Sequence, residues 1–151
     1  MSDQYTVNDL MSTPAVTIPA GVRLLDAALL LRRSAIRHLI VVDGRTVVGV
    51  LTDRDMQRCA PSRLMAVTEE EYNSVFENTT VESVMTRDPL TISPHTTLVE
   101  AIAALQDMRH GCLPVVEDGG IVGVLTRWDL IEGFRQMLMG RLVSRAVVVR
   151  R

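Results

Sequence analysis

This sequence predicts an α/β (α+β) fold of two β-α-β-β-α repeats packed with pseudo-two-fold symmetry. Two observations carry that prediction. First, shifted by 74 positions, the chain matches itself without a gap from Val7–Met56 to Val81–Leu130, with sixteen of the fifty pairs identical. A register this long means two copies of one unit. Second, each copy alternates short β-branched runs with apolar residues at helical spacing.

The elements of the two copies read in parallel. Thr6 and Thr80 are placed to cap a short turn ending near Met11 and Met85, and Pro14 and Pro89 then break the chain. Val16-Thr17-Ile18 and Leu90-Thr91-Ile92 are short extended pieces. Residues 22–34 and 96–109 carry helical spacing, through Val22, Leu25, Ala28 and Leu29 in one copy and Leu98, Ala101, Ile102 and Leu105 in the other. Leu39-Ile40-Val41-Val42 and Leu113-Pro114-Val115-Val116 read as buried strands. Asp43-Gly44 and Asp118-Gly119-Gly120 are hairpin turns, and Thr46–Leu51 and Ile121–Leu125 are the return strands. A helix opens after each, at Asp53 and at Arg127. The longest identity, Val48-Gly49-Val50-Leu51-Thr52 with Val122-Gly123-Val124-Leu125-Thr126, is closed by Asp55 and Asp129.

The expected organisation is repeat 1 over residues 5–60, a connector over 61–78, repeat 2 over 79–138 and a basic tail over 139–151. One copy of about fifty residues buries too little surface to be stable alone. Two copies packed around a pseudo-two-fold axis would form two equivalent clefts. Thr68-Glu69-Glu70-Glu71 looks like a capping box opening a short acidic connector helix through Phe76. Arg135, Arg141, Arg145, Arg150 and Arg151 bias the tail positive, and Ala146–Val149 is an apolar stretch able to add a strand.

Composition narrows the function classes. Hydrophobic residues make up 47% and aromatics 3%, so the core is aliphatic and stacking platforms for single-stranded nucleic acid are scarce. A formal charge of −2 argues against a duplex-DNA partner. No apolar run reaches membrane-spanning length and no secretory leader opens the chain, so a cytoplasmic location is expected. Cys59 and Cys112 fit neither a metal spacing nor a disulfide framework, and His95 and His110 offer no zinc spacing. There is no Ser-His-Asp arrangement, P-loop or metal cluster, so an enzyme is not expected.

Gly-apolar-apolar-Thr-x-x-Asp after a strand, twice in one chain, resembles the CBS domain pair, or Bateman module, over roughly residues 5–135. Pro114 matches that family's Leu-Pro-Val strand, whereas Ile40 departs from it. The stretch from Leu51 through Asp55 and the long acidic connector resemble stand-alone bacterial CBS proteins, some called acetoin-utilisation-like.

The resemblance implies a regulatory adenine-nucleotide site (AMP, ADP or ATP) with no catalytic cofactor. Asp55 and Asp129 would each accept two ribose hydroxyls. Thr52 and Thr126, at helix N-termini, would meet phosphate. Backbone around Thr17-Ile18, Thr91-Ile92, His38-Leu39-Ile40 and Cys112-Leu113-Pro114 would border the base. Arg37, His38, Arg54 and Arg127 are candidates for phosphate charge. It further implies a homodimer and an effector protein as partners; Leu24-Leu25 and Ala27–Leu31, apolar nearly all round, are the expected dimer face. Other readings stand beside these. Thr-x-x-Asp is itself a helix cap. His38 also suits a plain strand edge, and Trp128 suits helix packing as well as stacking. Gly49 and Gly123 suit close backbone approach to a ligand or to the other half. A ligand-free scaffold and a binder of another adenosyl compound, such as S-adenosylmethionine, are the alternative functions.

Overall fold

The computed structural model describes residues 5–62 and 64–142. The expected apolar strand at 146–149, and Arg145, Arg150 and Arg151, lie outside the described residues.

The chain divides into two compact units: Val16–Pro89, and the chain through Ala15 together with the chain from Leu90 onward. Sequence repeats and spatial units are thus different divisions of the chain. The leader of each copy joins the body of the other.

The Val16–Pro89 unit holds a four-stranded sheet. Its order is β1 (Thr17–Pro19), β2 (His38–Asp43), β3 (Thr46–Thr52) and β4 (Thr86–Arg87). β1 runs parallel to β2, as a crossover through α2 (Leu24–Ser34) requires. β2 and β3 form a hairpin whose turn places Gly44 at φ 61°. β4, from the second leader, pairs antiparallel to β3 with Val50 opposite Thr86. Leu24, Ala27, Leu31, Leu39, Val41, Leu51 and Val81 fill the core.

α3 (Asp53–Cys59) follows β3, and the connector forms α4 (Glu69–Asn78) with the predicted capping box: Thr68 N–H donates to Glu71 Oε2 at 2.7 Å, and Glu71 N–H to Thr68 Oγ1 at 3.1 Å. α4 packs on α2 and lays Phe76 against this core. The apolar surplus of α2 is therefore largely consumed within the unit: Leu24, Ala27 and Leu31 are buried, whereas Leu29 is exposed.

The other unit repeats this plan 74 positions on. It has the hairpin β5 (Cys112–Glu117) and β6 (Gly120–Thr126), the crossover helix α5 (Leu98–Asp107), and α6 (Arg127–Leu138) after β6. Its leader carries α1 (Val7–Leu10), and Ser12 bridges Val124 just as Thr86 meets Val50. The leader bonds correspond too: Leu98 N–H to Tyr5 O at 3.1 Å matches Leu24 N–H to Thr79 O at 2.7 Å.

Three differences between the units have physical causes. The expected strand at 90–92 shrinks to a single parallel bridge, Ile92 to Val115. Ile40 N–H donates to Val16 O at 3.2 Å, but Pro114 in the same position has no N–H to give. The second leader makes only a 3-10 turn, Val81–Ser83, where the first makes a helix. Asp9 returns a carboxylate to Thr6 N–H at 2.8 Å, whereas its counterpart Ser83 donates to Thr80 O and gives the turn no such return. Finally, α5 starts on a Thr97/Glu100 capping box, while α2 starts at Arg23, which pairs with Asp26 at 3.2 Å.

Gly49 and Gly123 admit the leaders. A Cβ on Gly49 would collide with Met85 Sδ and lie 3.0 Å from Thr86 O; on Gly123 it would lie 2.9 Å from Ser12 O and 3.0 Å from Met11 Sδ. Within each unit these glycines make room for the leader. Gly133 does the same on α6, facing Leu10 of α1.

Candidate functional site

The Thr-x-x-Asp motifs sit where each return strand becomes a helix. In the Val16–Pro89 unit Thr52 is the N-cap of α3. Asp55 Oδ2 accepts from Thr52 N–H at 2.9 Å and from Thr52 Oγ1 at 2.8 Å, and Asp55 N–H donates back to Thr52 Oγ1 at 3.1 Å. Both donors converge on one carboxylate oxygen. Among the described residues Oδ1 of Asp55 accepts no hydrogen bond, although the residue is only partly exposed.

The second motif repeats the arrangement at α6. Asp129 Oδ2 accepts from Thr126 N–H at 2.7 Å and Thr126 Oγ1 at 2.8 Å. Here Oδ1 is engaged as well: Ser12 Oγ donates to it at 2.8 Å. Sequence reasoning missed Ser12. The signal was available, because the repeat register sets Ser12 against Thr86, each a hydroxyl residue directly after a leader methionine.

The other expected residues fall as follows. His38 pairs with Thr52 and Cys112 with Thr126, so each lies at the sheet end that carries its Asp. Thr17, Ile40, Val50 and Thr86 form one row across the four strands. Pro114, Val124 and Ser12 are the corresponding row of the other unit, where Ile92 N–H donates to Pro114 O at 3.1 Å. Ile18, Leu39, Ile40, Cys112, Leu113 and Pro114 are buried, so these positions offer backbone more than side chain. Thr91 is exposed and Thr17 half-buried.

Thr52 and Thr126 hydroxyls each give their proton to the neighbouring Asp, which occupies their one donor. Arg54 and its counterpart Trp128 are both exposed at the second position of their helices. Arg127 is turned to the end of α5, where its guanidinium donates to Leu105 O and Met108 O. It thereby satisfies carbonyls that the helix leaves open. Burial, and secondarily the charge of Asp129, push the Cys112 thiol up to about 12. Among the described residues no cluster of His, Cys, Asp or Glu is arranged to hold a metal ion.

Two units that share a helix-hairpin-helix body, each closing on a threonine-aspartate cap, define a paired-repeat module. The chain belongs to the CBS domain family, whose profile matches residues 7–61 and 81–136. It is 31% identical over 128 residues to a CBS domain-containing protein of Dictyostelium discoideum, covering 83% of this chain and 88% of that one. It is 30% identical to CBSCBSPB1 of Arabidopsis thaliana, but spans only 21% of that protein's length. Its fold matches the crystal structure of the CBS-pair protein CBSX2 from Arabidopsis thaliana with a TM-score of 0.75, at 30% identity over 89% of this chain and 97% of that one. CBSX2 has also been solved in complex with AMP, and this chain matches that structure with a TM-score of 0.74. The CBS domain pair of protein MJ0100, solved with 5-methylthioadenosine and S-adenosyl-L-methionine, matches at 25% identity with a TM-score of 0.70, over 87% of this chain and 97% of that one. No helix among the described residues is long and apolar enough to cross a membrane.

Proposed function

We propose that this protein is a regulatory module that binds an adenine nucleotide through Asp55 and Asp129 and passes its occupancy to a partner protein in the cytoplasm. The observation that carries this reading is the division of labour within each carboxylate. In both, Oδ2 serves the cap; Oδ1 remains for a ligand at Asp55 and already accepts one hydroxyl, that of Ser12, at Asp129. A ribose diol offers two hydroxyl donors, and an ionised carboxylate oxygen has lone pairs for them. The hydroxyl of Ser12 on Asp129 Oδ1 is an intramolecular example of that contact. The AMP complex of CBSX2 and the adenosyl ligands of the MJ0100 pair support an adenosine-type ligand.

The exposed Arg54 adds a cation beside one Asp where Trp128 stands beside the other. A more highly charged nucleotide is therefore favoured at Asp55, and this preference weakens with salt. The ligand and partner roles need no bond-making residue, which favours a binding module over an enzyme.

A homodimer accompanies this reading. The large exposed apolar side chains concentrate on α6 (Trp128, Ile131, Phe134, Leu138) and α5 (Val99, Ile102), rather than on α2. A second copy of the chain is the occupant that buries them.

A thermal-shift screen across AMP, ADP, ATP and S-adenosylmethionine tests the ligand class. A rise in melting temperature with at least one of them is expected. No shift with any at millimolar concentration favours a ligand-free assembly scaffold.

A further inference from the structure

We propose that Ser12 is a built-in competitor at Asp129, making it the weaker of the two carboxylates for a ribose diol. This inference rests on the nucleotide-binding reading and deepens it. Each carboxylate oxygen has two acceptor positions. At Asp55, Oδ2 is filled by the N–H and O–H of Thr52, and both positions on Oδ1 remain for a diol. At Asp129, Oδ2 is filled in the same way by Thr126, and Ser12 takes one position on Oδ1 at 2.8 Å. Only one acceptor is left where a vicinal diol needs two. A diol bound through both hydroxyls must displace Ser12.

The pseudo-equivalent residue provides the contrast. Thr86 occupies the same register position beside Val50 as Ser12 does beside Val124. Among the described residues the Thr86 hydroxyl makes no hydrogen bond to Asp55. The two units share a fold and a motif, so this one contact distinguishes their acceptor inventories. Ser12 belongs to the leader that lines β6, so a ligand that displaces it also removes one tie between that leader and α6.

The test is calorimetric titration with AMP of the wild type, Ser12→Ala, Asp55→Ala and the Ser12→Ala/Asp55→Ala double variant. The Asp55→Ala background isolates Asp129. There, removing the Ser12 hydroxyl is expected to tighten AMP by about three- to ten-fold, the scale of one net hydrogen bond. Ser12→Gly repeats the test, and melting curves of each variant report folding. An unchanged or weaker affinity in the double variant, with AMP still bound by the wild type, overturns the competitor role and leaves the nucleotide reading standing. No AMP binding by any of the four proteins overturns both.

Discussion

Asp55 and Thr52 hold each other through three hydrogen bonds of 2.8–3.1 Å, two of them ending on the same carboxylate oxygen. This is a helix cap, and it also fixes the carboxylate's second oxygen relative to the strand end. Removing the side chain should therefore act on stability as well as on binding. Asp55→Ala is expected to lower stability by about 1 kcal/mol, the usual scale for a lost cap. For a chain of this size that is a fall of about 2–4 °C in the thermal midpoint. Asp129→Ala should behave alike, because its cap has the same bonds. Circular-dichroism melting of both variants measures this, and an unchanged midpoint would deny the cap.

Gly49→Ala and Gly123→Ala should each destabilise the protein, by about 1–3 kcal/mol, the range for overfilling a packed site. Each new methyl group meets leader atoms at 3.0 Å or less, including a backbone oxygen. Gly21 is the control, since nothing lies within 4 Å of its would-be Cβ. Gly21→Ala should be neutral or slightly stabilising, because it restricts the unfolded chain. Urea unfolding of the three variants ranks them, and equal midpoints would contradict the leader packing.

Much of the architecture was legible in the sequence, for local reasons. The Asp43-Gly44 turn, the β-branched runs beside it and the Thr68/Glu71 box each specify their element within a few residues. The doubled Thr-x-x-Asp motif likewise marked both helix starts. The leader exchange was not legible. A gapless repeat says that Thr86 is equivalent to Ser12, but it is silent on which copy's sheet each leader joins. The shrinking of the 90–92 strand to the single bridge at Ile92 follows from one missing N–H at Pro114, a tertiary consequence of a residue that the family pattern made look ordinary. The Ser12–Asp129 contact spans 117 positions, beyond the reach of any local rule. The apolar surplus of α2 pointed to a dimer face, because periodicity gives the width of an apolar stripe and not its neighbour. Here its neighbours include α4, α3 and β2.

Cys112 should resist alkylation at pH 8 while Cys59 reacts. Burial pushes the Cys112 thiol from an ordinary 9.0 up to about 12, so almost no thiolate forms there in the native state. Cys59 is only partly buried. The raised value also sets a stability trend. The folded state holds the Cys112 proton more tightly than the unfolded chain does, so its contribution is complete below pH 9 and is lost as the pH rises towards 12. Mass spectrometry after iodoacetamide treatment reads the labelling, and Cys112 modified as fast as Cys59 would contradict its burial.

Ile131→Asp should shift the protein towards a monomer in sedimentation velocity while leaving the fold intact. Ile131 is 60% exposed among Trp128, Phe134 and Leu138, so a charge is harmless in the single chain but is desolvated when a second copy covers it. A wild type that sediments as a monomer at high micromolar concentration would contradict the dimer. So would a variant that stays associated.

The most direct test of the nucleotide reading is calorimetric titration of the wild type and the Asp55→Ala/Asp129→Ala variant with AMP, alongside melting curves. A bound diol contact to a charged group contributes about 1.5–3 kcal/mol, so the double variant should bind at least about ten-fold more weakly. At a hundred times its dissociation constant, AMP should stabilise the wild type by about 2.7 kcal/mol per site. The same AMP affinity in both proteins, with only a lower melting point in the variant, would show that the two aspartates are helix caps alone.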